Sequence, residues 1–209
     1  MSLQSTKSQQ TQPVTPNDER ILVVKRTDMM PDGGWKGIKQ VNFDQYLQII
    51  NEKKQFLWRS DMENDPTYKQ IIPYLIFNFN QSYFLMQRQS TASETRLRNK
   101  YSLGIGGHIR QEDMTEAASI FDWAKREFHE EVYYDGKLDI EPIGIVNDDT
   151  TTVGKVHLGF VLLLKGNSDN IRVKSELKGG SLVTLTDCMH YYENLESWSQ
   201  EALKLLDIR

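Results

Sequence analysis

The chain has one cysteine, Cys188, among 209 residues, so no internal disulfide can staple it. A lone thiol suits a reducing compartment. Net charge is also scarce: 25 Lys and Arg against 29 Asp and Glu leave −4. That balance is too small to imply a nucleic-acid polymer or an acidic membrane as partner. Long apolar runs are missing as well. The longest, Leu158–Leu164, falls far short of the roughly 18–20 residues that cross a bilayer and reads as a buried strand. The first residues lack the basic-then-apolar order of a secretion signal, which makes a cytoplasmic location the expectation. The four histidines and the cysteine show no zinc-type spacing. No serine stands in a nucleophile-elbow string.

What is present fits one mixed α/β domain. Residues 1–18 are rich in Gln, Ser and Thr with almost no apolar content; they cannot offset the entropy of ordering and are expected to form a disordered tail. Residues 19–209 follow as a single domain with one core and no internal repeat. ILVVKR from Ile21 predicts a strand and MMPDGGWKG a loop. Asn42 or Asp44 caps a predicted helix through about Asn51, with Phe43, Tyr46, Ile49 and Ile50 at helical spacing. A polar connection runs from Arg59 to Pro66. Two apolar runs flank Asn80-Gln81-Ser82 and predict a hairpin. Thr91–Lys100 reads as loop, and Tyr101–Ile109 as a strand broken by three glycines. A helix is predicted over 115–134, then strands at Ile140–Val146, Lys155–Lys165, Ile171–Lys174 and Ser181–Thr186, and a last helix from Asp187 to Leu206.

The helix over 115–134 carries the chemistry. Ala117, Ile120, Phe121, Ala124, Phe128 and Val132 share one face, beside an arc of carboxylates formed by Glu116, Glu127, Glu130 and Glu131. Glu127 is an i,i+3 neighbour of Glu130 and an i,i+4 neighbour of Glu131, spacings at which like charges destabilise a helix. A hard divalent cation would offset that repulsion, because Mg²⁺ and Mn²⁺ take carboxylate oxygens and accept phosphate oxygens as further ligands. The helix alone fits a solvated acidic stripe equally well, with Arg126 paired to Glu130 and Asp122.

The surrounding string separates the two. GGHIRQEDMTEAASIFDWAKREFHEEV resembles the Nudix box: a glycine, a spaced glutamate, then Arg-Glu-apolar-any-Glu-Glu on a helix. Arg126-Glu127-Phe128-His129-Glu130-Glu131 matches the second half, and Gly106-Gly107 matches the opening. The stretch from Gly107 to Arg126 is longer than in the usual box, so the upstream glutamate has two matches, Glu116 and Glu112, of which Glu116 shares the face of Glu127. Tyr133 stands where the box usually has a glycine. NDPTYKQIIPYLIF, RLRNKYSLGIGGHI and VGKVHLGF extend the resemblance over most of the chain, toward a bacterial Nudix branch described only as phosphoesterases by inference.

The resemblance implies an α/β/α sandwich with a mixed sheet and hydrolysis of a diphosphate-linked small molecule or nucleotide. It implies Mg²⁺ or Mn²⁺ on Glu127, Glu130, Glu131 and Glu116, with Arg126 orienting a neighbouring glutamate. Glu130 and Glu131 are the expected rate-sensitive positions. Gly106 and Gly107 would let a phosphate approach the backbone. Arg88 and Arg96 are candidates for holding phosphates, since guanidinium binds them bidentately; an ordinary solvated loop explains them equally. His108 and His157 read as structural, His129 as remote from the acidic arc, and Asp148 and Asp149 as turn residues. Glu176 and Glu196 are weaker candidates. A nucleotide sensor that does not cut, an isoprenyl diphosphate isomerase and a partner-binding scaffold are the competing readings, and a homodimer is left open. An isomerase of that kind expects a cysteine near the GGH stretch, whereas Cys188 is distant in the chain.

Overall fold

A computed structural model describes residues 18–88, 100–115, 119–174 and 177–208. The tail expected over 1–18 therefore lies outside the described residues up to position 17. The chain opens with strand β1 (Arg20–Lys25), helix α1 (Arg26–Met29), β2 (Lys36–Lys39) and α2 (Phe43–Lys53). The Asn42 side chain caps α2, accepting from the Gln45 N–H at 3.3 Å. Next come β3 (Gln55–Trp58) and α3 (Arg59–Met62), the latter inside the stretch from Arg59 to Pro66 that sequence reading treats as connection. Then β4 (Tyr68–Phe79) and β5 (Ser82–Arg88) form the predicted hairpin. Asn80, at φ 55°, makes its turn, a conformation Asn tolerates better than most residues.

The glycine-rich segment becomes two short strands, β6 (Tyr101–Ser102) and β7 (Gly104–Gly106), before a 3-10 turn at Glu112–Thr115 and helix α4 (Ile120–Glu131). The rest runs β8 (Val132–Tyr134), β9 (Leu138–Asp148), α5 (Thr152–Val156), β10 (His157–Gly166), β11 (Ile171–Val173), β12 (Leu177–Thr184), α6 (Leu185–Met189) and α7 (Ser197–Asp207). The single last helix expected from Asp187 is thus broken. A turn and a 3-10 helix (Tyr192–Asn194) fill the gap, and Glu196, extended at the start of α7, donates its N–H to the Tyr101 carbonyl at 3.0 Å.

The main sheet orders its strands β12-β5-β4-β10-β9-β2, with β1 and β7 also on β4. β4 and β10 are parallel and the other pairs antiparallel, so the sheet is mixed. Alternation along β4 and β10 builds the two cores. Ile71, Leu75, Phe77, Leu158, Phe160, Leu162 and Leu164 face α4 and α2, whereas Tyr74, Ile76, Val161 and Leu163 face Ala202 and Leu206 of α7. Helices thus cover both faces. The result is the expected α/β/α sandwich.

Candidate active site

Helix α4 is shorter than its sequence suggests, and both ends have a local cause. Ser119 Oγ accepts from the Asp122 N–H at 3.2 Å and donates to Asp122 Oδ2 at 2.9 Å, which fixes the start. Asp122 is thereby occupied by the cap rather than by Arg126. At the other end Val132 turns extended and opens β8, which pairs with β11. Tyr133 is 58% exposed in that strand and has no positive φ, so its backbone does not require the glycine of the usual box.

The helix packs through Trp123, Ala124 and Phe128, all fully buried, with Phe128 stacked on Phe77 at 5.8 Å. Trp123 is absent from the face read off the sequence. It is held there by a polar anchor: Trp123 Nε1–H donates to Asp113 Oδ2 at 3.0 Å. Asp113 also accepts from the Arg110 backbone at 2.8 Å, and its Oδ1 lies 3.0 Å from Arg126 Nη2. Burial pushes Asp113 up, but the Trp123 and Arg110 hydrogen bonds and the Arg110 charge outweigh it and lower its pKa. Sequence reasoning missed Asp113. Its one visible signal is a position in the acidic turn ahead of the helix.

With one side of its guanidinium on Asp113, Arg126 reaches Glu130 with the other in a close ion pair. These are the contacts through which the orienting role implied for Arg126 would act. Glu130 is exposed, while Glu127 and Glu131 are partly buried at the next positions of the same helix. Glu127 is the tightest of the three. Its carboxylate lies so close to Gly107 that a Cβ there would collide with its oxygen, so glycine is needed for the approach. Burial, then the Glu130 and Glu131 charges, push Glu127 up to about 7 despite Arg126. Such a carboxylate pays for its ionisation unless a cation joins it.

The structure therefore brings Gly107, Glu127, Glu130, Glu131 and Arg126 together. Gly106 ends β7 opposite Tyr74. Glu116 and Glu176 lie outside the described residues, as do Arg96 and the side chain of Arg88, which ends β5. Glu196 is buried and structural, accepting hydrogen bonds from Ser102 and Tyr74. A cavity of about 110 Å³ between α2 and α4 is lined by Leu22, Ile50, Ile71, Phe121 and Trp123, and none of these glutamates lines it. It is smaller than the roughly 300–1,000 Å³ of ligand sites, and the carboxylates face elsewhere.

A second polar region occupies the start of β4 and β10. Lys69, fully buried, donates to Asn147 Oδ1 at 2.8 Å, Asp149 Oδ1 at 3.0 Å and the Gly154 carbonyl at 2.7 Å. Arg26 Nη1 donates to the same Asp149 Oδ1 at 3.0 Å. Asp148 makes the turn expected of it, accepting from the Thr150 N–H at 3.1 Å. Asp149 does more than that: it bridges two cations.

Outside comparisons locate this architecture. No family model matches the chain. The crystal structure of Tm1382, a protein assigned to the Nudix hydrolases, is 31% identical and superposes with a TM-score of 0.74, covering 91% of this chain and all of that one. The chain belongs to the Nudix hydrolase family. Protein YmaB of Bacillus subtilis is 32% identical over 204 residues, which is 91% of this chain and 98% of the relative. The Nudix domain of Shewanella oneidensis NrtR, solved with ADP-ribose, is 14% identical with a TM-score of 0.54 and covers 68% of this chain. That likeness is one of fold. As a Nudix hydrolase, the chain keeps its Arg-Glu-Phe-His-Glu-Glu segment on the helix and its Gly106-Gly107 at the end of β7, facing each other through Glu127 and Gly107.

Proposed function

We propose that this Nudix hydrolase cuts a diphosphate-linked small molecule of the nucleoside diphosphate class, using Mg²⁺ or Mn²⁺ held by Glu127, Glu130 and Glu131. The observation that carries the proposal is Glu127, pressed against Gly107 and raised to about 7 by burial and by the two glutamates beside it. The crowding of Glu130 and Glu131 against the buried Glu127 raises its pKa despite Arg126 and Arg110, a repulsion that a hard cation would relieve. All the donors are oxygens, the set Mg²⁺ and Mn²⁺ favour.

When bound, the metal would supply neutralisation of phosphate charge and a water of lowered pKa. The chain's part is to hold the donors still. Asp113 fixes Arg126, Arg126 fixes Glu130, and Gly107 leaves room for Glu127. The exposed Glu130 and the partly buried Glu131 are the carboxylates best placed to meet an incoming substrate and to accept a proton. Glu116 remains the proposed fourth donor.

The test is phosphate or monophosphate release over a panel of nucleoside diphosphate sugars, dinucleotides and non-nucleotide diphosphates, with and without Mg²⁺ or Mn²⁺. Metal-dependent turnover should fall by about 10²-fold or more in a Glu130→Gln, Glu131→Gln variant, the range for a positioned acid–base group. Metal-dependent ligand binding without turnover would replace the hydrolase by a sensor. Turnover unchanged in the variant would sink the site.

A further inference from the structure

Glu63, His108 and His157 stand apart from the glutamates of α4, and the sequence gives no hint that they meet. Their ligating atoms all lie within 4.8 Å of one another. The two imidazole Nε2 atoms are 3.2 Å apart. That matches the edge of a tetrahedral site, since bonds of about 2.0–2.1 Å to nitrogen put neighbouring ligands about 3.3 Å apart.

The hydrogen bonds around the pair fix which nitrogens are bare. His157 Nδ1 lies 2.8 Å from the Val153 carbonyl, which can only accept, so Nδ1 carries the proton and Nε2 presents a lone pair. A ligating histidine characteristically donates its other N–H in this way. The Gln70 amide is also fixed: its Nε2 donates to the Met62 carbonyl at 3.1 Å, so Oε1 is the atom turned to His108 Nε2, 2.6 Å away. His157 Nε2 therefore offers a lone pair beside Gln70 Oε1, while His108 Nε2, facing that oxygen, holds a proton that a bound cation would displace. Without a cation, a single His108 proton must serve both Gln70 and His157. Burial lowers the pKa of both histidines, which keeps them neutral and able to ligate. Glu63 follows α3 and is half-buried; Arg59 Nε holds one of its oxygens at 3.2 Å and steadies the carboxylate.

We propose that Glu63, His108 and His157, with Gln70 Oε1 beside them, form a second site for a borderline divalent ion of the Zn²⁺ type. The donor class separates it from the all-oxygen set of α4: two imidazoles with one carboxylate favour Zn²⁺ or Co²⁺ over Mg²⁺. Its ligands tie α3, the segment after β7 and the start of β10 together. Through His108 it sits one residue from Gly107, against which Glu127 packs. An ion here would stiffen the backbone that the catalytic helix rests on.

Co²⁺ is the probe, because tetrahedral nitrogen–oxygen sites give it a visible absorption that all-oxygen octahedral sites barely show. The full chain would be titrated in a Glu127→Gln, Glu130→Gln, Glu131→Gln background, so loss of the α4 site cannot be mistaken for loss of this one. The expected result is one Co²⁺ per chain with a visible band that excess Mg²⁺ leaves in place and Zn²⁺ abolishes. The band should vanish in His157→Asn. In Glu63→Gln, at the half-exposed ligand and least disruptive to folding, affinity should weaken by about tenfold or more, the least expected when even an outer partner of a ligand is lost. No band in the background protein would overturn the proposal, as would equal affinity in folded Glu63→Gln. Should His157→Asn fail to fold, the Glu63 comparison decides alone.

Discussion

Two charged regions of this chain are built on opposite plans. Around Lys69 opposite charges meet directly: one buried ammonium meets one carboxylate, one amide and two carbonyls, and Arg26 shares Asp149 with it, although burial still lowers Lys69 to about 8. Burial pushes Asp149 up, but the Arg26 and Lys69 hydrogen bonds and the Lys69 charge overcome it and hold its pKa well below the carboxylate range. Along α4 the balance fails. Glu127, Glu130 and Glu131 crowd together with Arg126 as their adjacent cation, and Glu127 is raised where Asp149 is lowered. The α4 carboxylates are the ones for which we propose a bound cation.

The largest effect expected from testing this contrast is on stability at Lys69. Lys69→Met should cost about 3–5 kcal/mol by urea unfolding, because it strands the Asn147, Gly154 and His157 acceptors at about 1–3 kcal/mol each, while Asp149 keeps Arg26. Metal-dependent turnover per folded molecule should be retained. Lost turnover with intact stability would move Lys69 from the structural class to the functional one.

Gly107→Ala should follow with a smaller cost in stability, of about 1 kcal/mol or less, because the added Cβ meets only the mobile end of the Glu127 side chain. Here function should suffer too. The added Cβ collides with the Glu127 carboxylate, so Mn²⁺ affinity, read by titration calorimetry, should fall even in the folded fraction. Unchanged affinity would mean that the approach of Glu127 to Gly107 is incidental to the site.

The pH dependence separates the two plans without touching packing. Glu127 has a folded value of about 7 against an ordinary 4.5, so the native chain binds this proton more tightly than the unfolded one. Its contribution to stability is full below about pH 4.5 and is lost as pH rises toward 7. Relative to Glu127→Gln, the chelated protein should lose on the order of 2–3 kcal/mol across that window, and Mg²⁺ or Mn²⁺ should restore it. Asp149 has the opposite sign. Its lowered value stabilises above the ordinary carboxylate range and is lost in acid, so Asp149→Asn should flatten the acid limb alone. A chelated protein whose Glu127 difference rises with pH would refute the crowding of α4.

How much of this is visible in the sequence depends on contact range. The α4 carboxylates lie within five residues, at spacings that a helix converts directly into neighbours, so Glu127, Glu130 and Glu131 are legible as a group. The hairpin at Asn80 and the cap at Asn42 are local in the same sense. Lys69 and Asp149 are 80 residues apart, and His108 and His157 are separated by 49; they meet because β4 and β10 pair in parallel with Gln70 opposite His157. No spacing rule announces that register. Trp123 falls between the two: its place on α4 is local, but the Asp113 acceptor that lets an indole N–H be buried precedes the helix by a turn that periodicity does not read. The end of the break between α6 and α7 is likewise tied to a distant carbonyl, that of Tyr101.

The smallest effect on function tests whether the site needs its helix to be stable or only to be in place. Ser119→Ala removes the oxygen that accepts from the Asp122 N–H and the hydroxyl that donates to Asp122. A lost cap of this kind costs about 1 kcal/mol. Glu127 and Glu131 lie more than a turn beyond Ser119, and the helix between is pinned by Trp123, Ala124 and Phe128 in the core and by Asp113 on Arg126. Fraying at the first turn should stop at Trp123. Thermal unfolding should therefore shift downward while Mn²⁺ affinity and turnover per folded molecule hold. A fall in affinity to match the fall in stability would mean that α4 is positioned from its N-terminus. The Asp113–Trp123 anchor would then be secondary to the cap in aiming the glutamates.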